Sequence, residues 1–182
     1  MGYREYSECV LKEIHNSIHS VSDEKTERFV QMILGAEKIF CDGKGRSGLV
    51  VKGFAMRLTQ MGLSAYDSQG VTTPAIQEKD LLLVASGSGE TPNLIEHVKK
   101  AVEIGADVVL VTANKDSVLG TMSEECFELQ AQSKTRAGDS IQPMGTLFEQ
   151  SLEVFFDIIV LILMKKMSKS NEEMLALHNN LE

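Results

Sequence analysis

With 182 residues and a formal net charge of -8, the chain has the size of one domain with a real core. Its acidity argues against a nucleic-acid partner, which demands a Lys/Arg surface to displace counterions. Three cysteines, Cys9, Cys41 and Cys126, stand far apart without a CxxC pair. Neither a disulfide scaffold nor a zinc site is expected, and all three read as buried small apolar residues of a reduced, cytoplasmic protein. The longest apolar run, Ile158 to Met164, falls far short of the roughly 20 residues that span a bilayer, and MGYREYSECV has no signal-peptide core, so neither membrane nor export is implied.

Val10, Ile14, Ile18 and Val21 recur at three- and four-residue spacing, which predicts a helix, a break near Ser22 and Asp23, and a second helix to Gly35. KIFCDG at 38–43 is a short strand ending in turn residues, and 47–61 is helical by periodicity. The order repeats: a short strand at 64–66, a buried strand at 80–85 (DLLLVA), a helix over 91–104, strands at 107–112 and 126–130. Residues 131–143 form the only long loop expected. An amphipathic helix follows over 144–166, then a short one over 172–178. Strands alternating with helices predict an α/β fold in three layers, a mainly parallel sheet covered on both faces. The whole chain is expected to be one domain. Its N-terminal helices (about 1–35) and C-terminal helices (about 144–180) would pack on the sheet or on partner subunits.

In such sheets ligands sit where strand ends turn into helix N-termini. The first such turn, GKGRSG at 43–48, matches GxGxxG, and Asp67 ends the next strand roughly where a nucleotide-binding fold puts its ribose acid. That motif is weak alone, because any turn that brings backbone close to a phosphate needs glycine. The second turn, SGSGET at 86–91, is more informative. Gly87 and Gly89 permit a nest of converging N–H groups, Ser86, Ser88 and Thr91 add three hydroxyls, and a helix starts immediately after. Amides, hydroxyls and the positive end of a helix dipole make a phosphate cradle that needs no lysine. A helix cap with Pro92 behind it would need only one hydroxyl. Ser47 can supply a fourth.

GKGRSG together with SGSGET resembles the sugar isomerase (SIS) domain, a five-stranded parallel sheet flanked by helices that binds phosphosugars. Within it, FAMRL at 54–58, TTP at 72–74, PMGTLFE at 143–149 and the HNNLE tail are similar to the 6-phospho-3-hexuloisomerase group, from about Cys41 to the C-terminus. The resemblance implies a cofactor-free isomerase without metal, in the ribulose monophosphate route. It implies a phosphosugar held by Ser47, Ser86, Ser88 and Thr91, with Gly45, Gly87 and Gly89 in the turns, and a homo-oligomer, dimer or tetramer, with sites shared between subunits.

Moving a carbonyl between adjacent carbons requires one base near both carbons and a stabiliser for enediolate oxygens. Glu149, near the start of an apolar helix, matches the family's base. By spacing alone Glu149, Glu153 and Asp157 could equally be a solvated acidic stripe. A histidine can move protons near neutral pH, and the family places one near His178 that reaches a neighbouring subunit, although Leu177 here replaces the usual preceding basic residue. Arg46, charged and inside the first turn, can pair with a substrate hydroxyl, the phosphate or the enediolate. Lys44, Lys134 and Arg136 read as solvated charges, Glu90 as turned away from the cradle, His15 and His19 as a helical pair without a third metal ligand, and His97 as a helix residue beside the cradle. Leu147, Phe148, Leu152, Phe155, Phe156 and Ile159 are too many for a one-sided stripe, so some are expected to bury against another subunit.

Three rival readings use the same residues. A pentose or heptose phosphate isomerase would share the cradle but not PMGTLFE or HNNLE. A non-catalytic sugar-phosphate sensor would keep the serines, need no glutamate at 149, and carry a DNA-binding domain for which some forty residues before the first strand leave little room. A nicotinamide-dependent dehydrogenase would need a further half-sheet or substrate domain.

Overall fold

The computed structural model describes residues 1–132 and 140–181. Lys134 and Arg136 lie outside the described residues. The chain begins with two helices, α1 (Tyr3–Ile18) and α2 (Asp23–Gly35). Ser22 separates them and caps α2 by accepting from the Lys25 N–H at 3.3 Å, as its short hydroxyl suits it to do. Then come β1 (Ile39–Gly43), α3 (Gly45–Gln60), β2 (Ala65–Asp67), β3 (Leu81–Ala85), α4 (Pro92–Ile104), β4 (Asp107–Thr112), α5 (Val118–Met122), β5 (Glu125–Glu128), α6 (Thr146–Met167) and α7 (Asn171–Ala176). The five strands are all parallel, in the order β2-β1-β3-β4-β5.

Because a strand turns alternate side chains to opposite faces, the sheet feeds two cores. Ile39, Cys41, Leu81, Leu83, Val109 and Val111 pack with α2, α3 and α6. Phe40, Leu82, Val84, Val108 and Leu110 pack with Leu94 and Val98 of α4 and Leu119 of α5. Every residue of β1 and β3 is buried, which explains why DLLLVA reads as an unbroken apolar run rather than an alternating one.

Several expectations need correction. The helix α5 was not predicted, being one short turn after the Ser117 cap. Helix α3 starts at Gly45 rather than at Ser47, with Lys44 at the cap position and no side-chain cap bond. The stretch 68–80, with no helix or strand, is a second long connection beside the one expected at 131–143. Only Cys41 is fully buried, Cys9 and Cys126 being partly exposed. Burial pushes the thiols of Cys41 and Cys126 upward, that of Cys126 to about 11. Leu147, Phe148, Leu152, Phe155, Phe156 and Ile159 of α6, some of which were expected to bury against another subunit, are all buried within the chain, while Ile158 and Leu161 are exposed. Among the described residues no helix is long and apolar enough to cross a membrane.

Candidate functional site

The connections of β1 and β3 leave in opposite directions, β1 going to β2 on one side and β3 to β4 on the other. Between such strands the turns diverge and a crevice opens at their carboxyl ends. A cavity of about 330 Å³ occupies that place, lined from one side by Lys44, Gly45 and Ser47 and from the other by Ser86 to Ser88 and Thr91. Both glycine turns therefore meet at one site. Their approach is close: a Cβ on Gly48 would stand 2.6 Å from the Gly43 carbonyl oxygen, so α3 begins against β1 itself.

The turn from Ser86 to Thr91 is braced from below. The Ser86 N–H donates to Val111 O at 3.0 Å, the Ala113 N–H to Gly87 O and the Leu119 N–H to Gly89 O. Ser86 Oγ accepts from the Gly89 N–H at 3.2 Å and lies 3.3 Å from Thr91 Oγ1. Gly89 stands at φ +68°, in the left-handed region where a side chain is strained. Thr91 is the cap residue of α4 but makes no side-chain cap bond. Among the described residues Ser88 Oγ accepts only from the Glu90 N–H. Among the described residues the N–H groups of Gly87, Ser88 and Thr91 have no acceptor. Unpaired amides, hydroxyls free of capping duty and two helix N-termini, α3 and α4, give the cavity a donor-rich wall suited to an anion. Glu90 is turned away and accepts from the Val118 N–H at 2.9 Å, closing the start of α5.

Opposite this wall stand Phe148 and Glu149, carried in by the first turn of α6. Phe148 fits against Gly87, where a Cβ would meet its ring at 3.0 Å. The Glu149 side chain is 11% exposed, and its Oε2 accepts from Arg46 Nη1 at 3.1 Å. Spacing alone could not separate Glu149 from Glu153 and Asp157, yet the fold does: those two are exposed and only Glu149 enters the cavity. The arrangement can hold an anionic group on neutral donors and present a carboxylate and a guanidinium to what that group carries. A shielded carboxylate at such a place can take a proton from carbon, and a guanidinium can offset the charge left behind.

Of the remaining residues singled out by sequence, His178 lines no part of this cavity; its Nδ1 lies 3.0 Å from Asn179 O. Asp67 is engaged by Lys52 Nζ at 2.8 Å and accepts from the Gln69 N–H, with Lys44 adding a longer-range pull. Burial raises its carboxyl, and these contacts together outweigh that and hold it below the usual range. His15 and His19 lie against each other with their rings tilted by 35°, ring centres 3.9 Å apart, and no group of three metal-ligand side chains occurs among the described residues. Two features were not anticipated. Lys44 faces the cavity, and His97 Nδ1 lies 2.5 Å from Oδ2 of the fully buried Asp42, whose Oδ1 also accepts from the Gly43 N–H and Gln69 Nε2. An acidic residue at the end of a buried strand is the signal that could have flagged that tie.

The chain is similar to several known proteins. The chain is 40% identical to a 3-hexulose-6-phosphate isomerase of Bacillus subtilis, with 100% of both chains covered. It is 36% identical to one of Mycobacterium gastri, covering 95% of this chain and 88% of that one. A Methanococcus jannaschii protein, whose crystal structure was used to infer a 3-hexulose-6-phosphate isomerase function, superimposes with a TM-score of 0.86 at 30% identity, over 98% of this chain and 99% of the other. The SIS domain family model matches residues 32–154, a span that holds both glycine turns and Glu149. The five-stranded parallel sheet, the crevice at its switch point and this match together establish that the chain belongs to the SIS domain family.

Proposed function

We propose that the chain is a 3-hexulose-6-phosphate isomerase, interconverting D-arabino-hex-3-ulose 6-phosphate and fructose 6-phosphate without a cofactor, in the ribulose monophosphate route of formaldehyde assimilation. The observation that carries this reading is Glu149, which lines the same cavity as the hydroxyl-rich turn and is paired there by Arg46 at 3.1 Å. Relatives that bear this name and align along nearly the whole chain support it.

The phosphate is taken by the hydroxyls of Ser47, Ser86, Ser88 and Thr91 and by the unpaired amides of the second turn, with Gly45, Gly87 and Gly89 letting the backbone approach. Glu149 removes the proton on C2 of the 3-ulose, which leaves an enediolate, and protonation of its C3 oxygen gives the cis-enediol. Glu149 then returns its proton to C3, the C2 hydroxyl loses its own, and the carbonyl has moved to C2. No electrons leave the sugar, and every proton is accounted for within carboxyl, sugar and solvent. Arg46 compensates the enediolate charge as Glu149 is neutralised. His178, outside this cavity in a single chain, is assigned to oxygen protonation in a neighbouring subunit's site. The exposed apolar side chains Leu49 and Met56 of α3 and Leu161 of α6 support the accompanying reading of a homo-oligomer, dimer or tetramer, in the cytoplasm; a monomer in sedimentation at assay concentration removes the oligomer.

The test is incubation with fructose 6-phosphate in deuterated water, followed by NMR. Deuterium should enter at the exchanging C2 and C3 positions of the two ketoses. Entry at C1 instead means aldose–ketose chemistry and a different substrate. Glu149→Gln should abolish exchange, a loss of about 10²–10⁴-fold, while phosphosugar binding stays nearly intact; full turnover in that variant removes the base assignment.

A further inference from the structure

Helix α1 contributes nothing to the lining of the cavity and precedes the residues matched by the SIS family. It nevertheless holds the segment that delivers Glu149. The half-buried Glu13 carboxylate accepts three hydrogen bonds from residues more than a hundred positions away: Ser140 Oγ to Oε2 at 2.9 Å, Gln142 Nε2 to Oε2 at 3.0 Å and the Ile141 N–H to Oε1 at 2.9 Å. Ser140 Oγ in turn accepts from the Gln142 N–H at 3.0 Å, so the three donors form one knot. Only an ionised carboxylate offers two oxygens that accept without also donating; a glutamine would set an NH₂ against at least one of these donors.

The knot leads directly into the site. Pro143 O accepts from the Thr146 N–H at 3.2 Å, and Met144 takes a left-handed φ of +58°, which a non-glycine residue holds only when its surroundings fix it. Gly145 O accepts from the Glu149 N–H at 3.0 Å, and Gly145 lines the cavity beside the Glu149 carboxylate. The segment from Ser140 to Gly145 thus has one end on Glu13 and the other under the first turn of α6.

We propose that Glu13 is a positioning residue for the reaction: by clamping Ser140, Ile141 and Gln142 it fixes the start of α6 and so the place of the Glu149 carboxylate relative to the phosphate-binding turn. This rests on the reading of Glu149 as the base. Because the hydrogen bonds that hold the phosphate-binding turn come from the end of β4 and the start of α5, and α6 touches that turn through the Phe148 ring against Gly87, loosening the clamp displaces the base more than the cradle. Turnover falls more than affinity does.

Glu13→Gln and Glu13→Ala in the full chain test it, with fructose 6-phosphate as the probe for both calorimetric affinity and the deuterium-exchange rate. The expected result is a fall in exchange rate of about 10–100-fold, the cost of a displacement on the order of 1 Å of a reacting group, with the dissociation constant changed by less than about threefold. Where these variants do not fold, Ser140→Ala and Gln142→Ala each remove one donor and should show the same split at smaller amplitude, about 3–10-fold. Wild-type exchange in the variants overturns the proposal, and so does a parallel loss of affinity and turnover, which marks a general structural role. A wild-type protein that exchanges neither C2 nor C3 overturns the isomerase reading itself, a result recognisable before any variant is made.

Discussion

Replacing Gly89 by alanine strikes the second turn at its tightest point. Holding an L-residue at its φ of +68° costs about 1–2 kcal/mol. The added Cβ would stand 1.9 Å from Ser117 Oγ and 2.4 Å from Ser117 Cβ, so Ser117 cannot escape by rotating its hydroxyl alone. Ser117 is 1% exposed and caps α5 through the Gly120 N–H. Pushing it aside forfeits a cap worth about 1 kcal/mol and adds overpacking of about 1–3 kcal/mol. Together these come to about 3–6 kcal/mol, a large part of the roughly 5–15 kcal/mol that holds a domain folded. Gly45→Ala is the control: it has φ +58° but nothing within 4 Å of its added Cβ, so it should lose only the strain of about 1–2 kcal/mol. Urea unfolding of both variants measures the difference, and calorimetry with fructose 6-phosphate reports the cradle. The Gly89→Ala/Ser117→Gly double variant should regain the steric part and not the strain. A Gly89→Ala protein within about 1 kcal/mol of wild type, an ordinary substitution cost, and with wild-type affinity would refute the close approach between this turn and the start of α5.

Ser88→Ala removes a hydroxyl whose only bond among the described residues is the local one from the Glu90 N–H. Affinity for fructose 6-phosphate should weaken by about tenfold or more, as expected for a lost hydrogen bond to a charged group, with the unfolding midpoint unchanged; unchanged affinity removes Ser88 from the cradle. Asp67 has its folded carboxyl held below the ordinary 3.8, chiefly by Lys52 against the opposing push of burial. The stability it contributes is therefore present above the unfolded value and lost as pH falls through the folded one. Asp67→Asn should be less stable than wild type near neutral pH, the gap should close as acid titrates the wild type, and a gap that stays constant down to acid unfolding contradicts the Lys52 pairing.

The alternation of strands and helices was legible because two inner strands, DLLLVA and DVVLVT, are covered on both faces and so carry unbroken apolar runs that no amphipathic helix would show. The second turn was legible for a related reason: three hydroxyls and two glycines before a helix exceed what capping requires. What stayed hidden depends on distant parts of the chain. Arg46 and Glu149 are 103 residues apart, and nothing in the spacing of Glu149, Glu153 and Asp157 tells which of them the packing of α6 turns inward. Likewise α5 is too brief to show a period, and the apolar period places the start of α3 at Ser47, whereas the helix begins without a side-chain cap at Gly45. An orphan N-terminus is a cost in an ordinary helix, but here it leaves donors facing the cavity. That departure from local preference is itself a sign of a binding site.

The same economy of charge runs through the site. In the proposed mechanism a phosphate group and a general-base carboxylate share one cavity in a chain of net charge -8, and two negative charges in a shielded space repel. Holding the phosphate on hydroxyls, amides and helix ends spreads its charge over partial dipoles and leaves the guanidinium of Arg46 for the reacting end. Under the proposed mechanism the negative charge beside Arg46 changes carrier, from the Glu149 carboxylate before proton transfer to the enediolate after it, but not in amount. A guanidinium already placed against Glu149 at 3.1 Å need move little to follow that charge, so the environment is organised for the transition state before the substrate arrives. Arg46 is thus better understood as the constant partner of a travelling charge than as a second phosphate ligand.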